Sequence, residues 1–225
     1  MTDIFEYLKN NSYPGRGIII GKHNNDMVLA YFIMGRSENS RNRIFKKEGD
    51  RVYTSAYDES KVKDPSLIIY NCVRGFEGRT VITNGDQTDT VYDHLKEGKS
   101  FEEALQTRTC EPDEPIYTPR ISAIINEDGT YTISILKRVN GECVRLFFDF
   151  EAKDDIGHFI STYDHDGDPL PSFSGEPLEI SIGDDIGVFA EKLWESLDRD
   201  NKISLYVRYI EDDSYRDLLI NKYGE

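Results

Sequence analysis

The stretch RISAIINEDGTYTISILKRVNGECVRLFFDF, from Arg120 to Phe150, decides the fold class. It holds three runs rich in β-branched and aromatic residues: Arg120 to Asn126, Tyr131 to Arg138 and Glu142 to Phe150. Between them stand Asn126-Glu127-Asp128-Gly129 and Val139-Asn140-Gly141, whose Asn, Asp and Gly residues accept the backbone of a tight hairpin turn. The reading is a three-stranded antiparallel meander.

Working outward toward the N-terminus, Gln87 to Gly98 carries Val91 and Leu95 at helical spacing and stops at a glycine. Ser100-Phe101-Glu102-Glu103 is a capping box, in which the serine hydroxyl and the Glu103 carboxylate take up free N–H groups at the start of a second helix. Earlier still, short strand-like runs cover Gly17 to Gly21, Val28 to Met34, Arg51 to Ala56, Ser66 to Val73 and Arg79 to Thr83. The first two flank His23-Asn24-Asn25-Asp26 and read as a hairpin, and Ile68-Ile69-Tyr70 reads as part of a buried strand. Toward the C-terminus, Asp184 to Leu197 sets Ile186, Phe189, Leu193 and Leu197 on one helical stripe, widened by Ala190 and Trp194, before a final strand from Ile203 to Tyr209. Sheet blocks interrupted by helices, without βαβ alternation, predict an α+β layered fold in which two sheets are faced by helices. Neither a repeat nor a linker divides the chain, so residues 1–225 are expected to form a single domain.

Composition narrows the function. With 38% hydrophobic and 12% aromatic residues the chain can bury a core, while 31% charged residues and no long apolar run exclude an integral membrane protein. A net charge of −15 repels a phosphate backbone at long range, so neither nucleic acid nor membrane is an expected partner. The charge is uneven: residues 36–51 hold six bases against three acids, whereas residues 142–200 hold sixteen acids and four bases. A basic island in an acidic chain fits a small anionic ligand, or an ordinary solvated loop. Cys72, Cys110 and Cys143 lie far apart in sequence, without a metal-binding spacing, and the first residues have neither the basic nor the apolar region of a signal peptide. A reducing, cytoplasmic setting without structural zinc is the expectation.

Familiar motifs fail on inspection. Gly15, Gly17 and Gly21 have the wrong spacing for a dinucleotide loop and lead into a strand. Asp164-His165-Asp166-Gly167-Asp168 places its glycine too early for a calcium loop. His23, His94, His158 and His165 are scattered over expected turns and a helix face, with no nucleophile motif beside them.

Four polar clusters remain where strands are expected to end: YPGRG (Tyr13 to Gly17), GRSENSRNR (Gly35 to Arg43), TNGDQTDT (Thr83 to Thr90) and EPDEPIYTPR (Glu111 to Arg120). Arginines interspersed with Ser, Asn and Gly suit forked, charge-assisted contacts to an anion. Together, and in this order, YPGRGIIIGK, GRSENSRNR, VITNGDQTDTV and EPDEPIYTPRIS resemble the inosine monophosphate cyclohydrolase family first known from archaea, as do GHFISTY (Gly157 to Tyr163) and GDPLPSF (Gly167 to Phe173). The likeness runs from about Tyr13 to about Pro177.

The resemblance implies a four-layered αββα sandwich like that of N-terminal-nucleophile hydrolases. It also implies dehydrating ring closure of 5-formamidoimidazole-4-carboxamide ribotide to inosine monophosphate. The attacking nitrogen belongs to the substrate, so no protein nucleophile, metal or other cofactor is expected. Carried over by motif, Arg41 would bind the formyl oxygen, Tyr70 would assist proton transfer and Glu111 would orient or deprotonate the amide. Tyr70 could instead be a buried strand tyrosine, and Glu111 could simply neutralise an arginine. Arg16, Arg36 and Ser37 would meet phosphate or ribose. Asn71, Asn84, Gly85, Thr88, Asp89, Tyr117, Thr118 and Arg120 complete the expected substrate-binding set. A homo-oligomer is implied as well. Two alternatives stand beside this: a non-catalytic purine-nucleotide-binding module, and an amidohydrolase whose nucleophile is Thr2 after removal of Met1.

Overall fold

The computed structural model describes residues 1–62, 69–211 and 214–224. Among them the chain runs α1 (Ile4–Lys9), β1 (Arg16–His23), β2 (Asp26–Met34), α2 (Glu38–Arg41), β3 (Arg43–Glu48), β4 (Arg51–Ala56), β5 (Asn71–Phe76) and β6 (Arg79–Thr83). There follow α3 (Gln87–Lys96), α4 (Phe101–Gln106), β7 (Arg120–Ile125), β8 (Tyr131–Val139), β9 (Glu142–Phe150), β10 (Ile156–Ser161), β11 (Leu178–Ser181), α5 (Ile186–Ser196), β12 (Lys202–Glu211) and β13 (Ser214–Asn221).

The strands form two antiparallel sheets, ordered β11-β10-β1-β2-β12-β13 and β3-β4-β5-β6-β7-β8-β9, and the fold is α+β. The meander is β7-β8-β9, in register from Ile125 opposite Tyr131 to Val139 opposite Glu142. Apolar surface accounts for the stacking. From β1 and β2, Ile18, Ile20, Leu29, Tyr31 and Ile33 face the second sheet and pack with its Phe45, Val52, Ile82, Ile121 and Ile133. On the opposite face of the same strands, Ile19, Val28, Ala30 and Phe32 pack beneath Ile4 and Leu8 of α1 and Phe189 and Leu193 of α5. Covered on both sides, these strands are continuous apolar runs rather than alternating ones. The outer face of the second sheet offers Val81, Ile124 and Leu136 to Val91 and Leu95 of α3 and Phe101 and Leu105 of α4.

Local rules hold at the expected points. Asn24 turns the β1–β2 hairpin with φ 55°. The capping box of α4 forms, with Ser100 Oγ accepting from Glu103 N at 3.1 Å and Ser100 N donating to Glu103 at 2.7 Å. A Cβ at Gly17 would lie 2.2 Å from the Phe32 ring and 2.7 Å from that of Phe159, so β1 can sit between those rings only with glycine there.

Some sequence expectations change. β5 begins at Asn71, not Ser66. Ser66, Leu67 and Ile68 lie outside the described residues, and Ile69 is 42% exposed, so the expected buried strand does not extend through it. Part of the basic island is β3, whose Arg43 and Phe45 alternate inward between exposed or half-buried neighbours. His158 lies in β10, stacked on Phe150 at 3.7 Å, rather than in a turn. The strand from Ile203 is longer than expected and is not the last: β13 follows, its charged residues hiding the pattern.

Truncating Phe189, fully buried under the first sheet, is expected to cost about 3–5 kcal/mol of unfolding free energy. Ser100→Ala, which removes one cap, is expected to cost about 1 kcal/mol. Urea unfolding of both variants measures the contrast, and equal losses would contradict the packing described for α5.

Candidate active site

Antiparallel pairing gathers the four polar clusters. β1 starts at Arg16 where β2 and β10 end, and in the second sheet β3, β5 and β7 start where β4 and β6 end. Contacts between the sheets join these ends. Arg43 Nη2 donates to Met34 O at 3.1 Å, Tyr31 and Tyr70 share a hydroxyl hydrogen bond of 2.9 Å, and Thr118 Oγ1 lies 2.9 Å from Tyr163 OH. The strand interiors between β1 and β2 and their neighbours are mostly apolar, and the four clusters meet at this rim.

Arg16 is fixed by its backbone. Its N–H donates to Thr162 Oγ1 at 3.1 Å and its carbonyl accepts from Thr162 N at 2.9 Å. Gly15, at φ 80°, passes so close to Thr162 and Tyr163 that a Cβ there would lie 2.2 Å from Thr162 Oγ1. The guanidinium is surrounded by tyrosines: Tyr70, Tyr163, Tyr31 and Tyr13 all act on it electrostatically. Burial opposes its charge, the tyrosines outweigh that, and its pKa is raised. Its Nε is buried without a hydrogen-bond partner among the described residues. A half-buried cation without a counter-charge is costly unless something anionic meets it.

Arg43 lies beside Arg16 and is 1% exposed. It donates through Nε to Ser40 O at 2.8 Å and through Nη2 to Met34 O, while Nη1 is buried and unpaired. Burial, and then the neighbouring Arg16 charge, lower its pKa. Burial likewise holds the Tyr31 hydroxyl well above its ordinary value, so Tyr31 keeps its proton at neutral pH within its hydrogen bond to Tyr70. The motif reading passed over Arg43, Tyr31, Tyr13 and Tyr163. Arg43 and Tyr13 stand in the quoted clusters, and the one sign of Tyr31 was a hydroxyl in an otherwise apolar run.

Glu111 and Arg120 are paired, Nη1 to Oε1 at 2.9 Å and Nη2 to Oε2 at 3.0 Å. Arg120 also meets Asp86 at 2.7 Å, Gln87 Oε1 at 2.9 Å and, through Nε, Thr109 O at 2.9 Å, so its donors are occupied. Burial raises the pKa of Glu111 above the usual carboxylate value, although Arg120 and, more weakly, Arg16 oppose it. Asp86 goes the other way: its pairs with Arg108 and Arg120 outweigh burial and lower its pKa.

Several expected binding groups are engaged within the protein. Asn84 donates to Pro119 O and accepts from Ile121 N and Gln87, shaping the turn that carries Gly85. Thr88 Oγ1 meets Thr83 Oγ1 at 2.7 Å. Asn71 donates to Asp89, which also pairs with Arg74 at 2.7 Å. Ser37 caps α2 through Ser40 N. Arg36 pairs with Asp166 and lies over the Tyr13 ring at 4.9 Å, Tyr117 donates to Glu114, and Thr118 donates to Asp113. Arg41 donates to Gly35 O at 2.9 Å and Asn201 Oδ1 at 3.1 Å, and lines a cleft of about 370 Å³ with Tyr57, Lys61 and Tyr223. The structure thus joins Arg16, Tyr70 and Glu111 electrostatically and shows Arg41 facing this cleft.

Other chemistry lies elsewhere. Thr2 pairs with the first sheet's edge, its N–H on Glu179 O at 2.7 Å. Ligand atoms of His23, Asp154 and Asp155 come within 4.8 Å of one another at the far end of β1, where His23 Nδ1 already meets Asp155 at 2.6 Å. Cys110 and Cys143 are neighbours despite their sequence separation, and burial pushes the Cys110 thiol up to about 12. Among the described residues no helix is long and apolar enough to cross a membrane.

Comparison with known proteins bears on this site. The IMP cyclohydrolase of Methanopyrus kandleri is 33% identical over 155 residues, 67% of this chain and 75% of that one. That of Methanocella arvoryzae is 30% identical over 122 residues, covering 53% of this chain and 60% of its own. That of Methanocaldococcus jannaschii is 27% identical over 172 residues, 74% and 82% of the two chains. A solved structure of an Anbu (Gly-1) mutant from Hyphomicrobium sp. strain MC1 aligns over 92% of this chain at 9% identity, but its TM-score of 0.36 is too low to bear on the fold. The family model described as IMP cyclohydrolase-like protein matches residues 13–214, which take in all four polar clusters, and the chain belongs to that family.

Proposed function

We propose that this chain closes the six-membered ring of inosine monophosphate by dehydrating 5-formamidoimidazole-4-carboxamide ribotide. The observation that carries the reading is the Arg16 guanidinium, unneutralised among tyrosine hydroxyls at the rim where the family motifs meet. In the reaction the carboxamide nitrogen attacks the formyl carbon, a new C–N bond forms, and the former formyl oxygen leaves as water after two proton transfers. Both reacting groups belong to one substrate, so the protein's work is to select the reactive rotamer, hold oxygen charge and move protons. Metal and other cofactors are not required by this chemistry.

Glu111, with its raised pKa, suits the base that takes the amide proton, and Arg120 orients it. Tyr70, backed by the Tyr31 hydroxyl at 2.9 Å, suits the group that protonates the departing oxygen. Arg41 approaches the substrate from the neighbouring cleft, with Arg36 and the Ser37 turn at the mouth. We further read the packing of helices outside both sheets as an αββα sandwich of the N-terminal-nucleophile hydrolase kind, and the active protein as a homo-oligomer. Thr2, paired along the first sheet's edge, does not suit a nucleophile acting at Arg16.

Absorbance-monitored ring closure by chelator-treated protein tests the reading. Wild-type turnover is expected, with Tyr70→Phe and Glu111→Gln each lowering kcat by about 10²-fold or more. An inert wild type that binds inosine monophosphate tightly would leave a nucleotide-binding module instead. The pH profile gives a separate check. Because burial raises Glu111 and the base must be ionised, kcat is expected to fall as pH drops through a value above the ordinary carboxylate range. Glu111→Gln is expected to abolish that limb, and a limb unchanged in the variant would remove Glu111 from the base role.

A further inference from the structure

We propose that Arg16 is the catalytic cation that binds the formyl oxygen as it gains negative charge, and that Arg43 is the positioning residue behind it. The inference rests on the ring-closure reading and changes the part played by two arginines within it.

Three observations lead there. First, the charge of Arg16 is not used by the protein. Its Nε is buried and unpaired, and no salt bridge or side-chain hydrogen bond engages its guanidinium among the described residues, whereas Arg36, Arg74, Arg108 and Arg120 are each paired to a carboxylate. A donor left free and fixed before substrate arrives stabilises developing charge without reorganising. Second, Arg16 lies where the chemistry would occur. It acts on Glu111, the proposed base, and is acted on by Tyr70, the proposed proton donor. Arg41, in contrast, donates to Gly35 O and Asn201 and faces the cleft that holds Lys61 and Tyr57. That cleft also holds Glu38 and Asp58, and Lys61 is paired with Asp58, so Arg41 stands in a charge-balanced lining with its own donors engaged.

Third, Arg43 is built as a support. At 1% exposure it cannot meet substrate freely, yet its Nε and Nη2 hold the carbonyls of Ser40, within α2, and of Met34, the last residue of β2. Its like charge beside Arg16 goes unneutralised, which makes an oxyanion more welcome there. In the reaction, the carboxamide nitrogen bonds to the formyl carbon and the C=O electron pair moves to oxygen. Glu111 takes the amide proton, and Arg16 donates hydrogen bonds to the resulting alkoxide. Tyr70 then protonates that oxygen, the proton held by Glu111 passes to it so that it leaves as water with the C–O bonding pair, and the formamido nitrogen forms the ring C=N bond and gives up its N–H proton, which restores the Tyr70 hydroxyl.

The experiment separates this role from phosphate binding. Arg16→Lys and Arg16→Met are compared with wild type for kcat, KM and the affinities of inosine monophosphate and inosine. The expected result is a fall in kcat of about 10²–10³ for Arg16→Met, partly recovered by lysine, with the affinity ratio between nucleotide and nucleoside unchanged. Arg43→Met is expected to lower kcat while added guanidinium fails to rescue it, whereas Arg16→Ala should regain activity with guanidinium. A collapsed nucleotide-to-nucleoside ratio with kcat intact would make Arg16 a phosphate ligand and overturn the proposal, as would unchanged kinetics. An inactive wild type would instead sink the ring-closure reading itself. Should Arg16→Met fail to fold, the lysine variant carries the same decision through its kcat and affinity ratio.

Discussion

Strands β1 and β2 have no solvent face, and the rest of the molecule follows from that constraint. Helices α1 and α5 cover one side and the second sheet the other, so the nine residues of β2 are all buried. Fully enclosed strands cannot offer polar side chains along their length without orphaning them. Polar function is therefore displaced to the strand ends. One end carries Arg16, Arg43, Tyr70 and the Glu111–Arg120 pair; Tyr31 is the sole hydroxyl of β2 admitted among them, and it is satisfied by Tyr70.

Much of this was legible in the sequence because local signals agreed with the packing. The Asp128-Gly129 and Asn140-Gly141 turns, the Ser100 capping box and the α5 stripe each determine their elements through short-range chemistry, and all appear in the structure. Elements whose signal depends on distant partners were lost. β3 hides in a basic run because lysine stems and charges occupy its exposed positions, and β13 reads as a polar tail although its backbone completes the first sheet beside β12. The strand expected from Ser66 rested on apolar residues alone, and Ile69 shows that such residues also occur on the surface.

The site was readable as a set of clusters but not as a division of labour. Residue type told that arginines, amides and hydroxyls would meet an anion. It could not tell which had already found partners. Asn84, Thr88 and Arg120 belong to motifs as much as Arg16 does, yet their polar atoms are engaged by Pro119, Thr83, Asp86 and Glu111. Only three-dimensional bookkeeping distinguishes a side chain that builds the rim from one that waits in it. The family match over residues 13–214 takes in both ends of both sheets, and the unneutralised guanidinium is the separate, electrostatic observation that singles out one of them.

The molecule and its site differ in sign. The chain as a whole carries −15, with sixteen acids between residues 142 and 200, while the unneutralised guanidinium groups of Arg16 and Arg43 lie at one end of the two sheets. An anionic substrate approaching from beyond the Debye length, about 8–10 Å at ordinary ionic strength, is repelled by the surface and meets attraction only inside the mouth. Dissolved salt screens the first interaction far more than the second. Capture of the substrate should therefore quicken as ionic strength rises, the reverse of steering by an exposed basic patch.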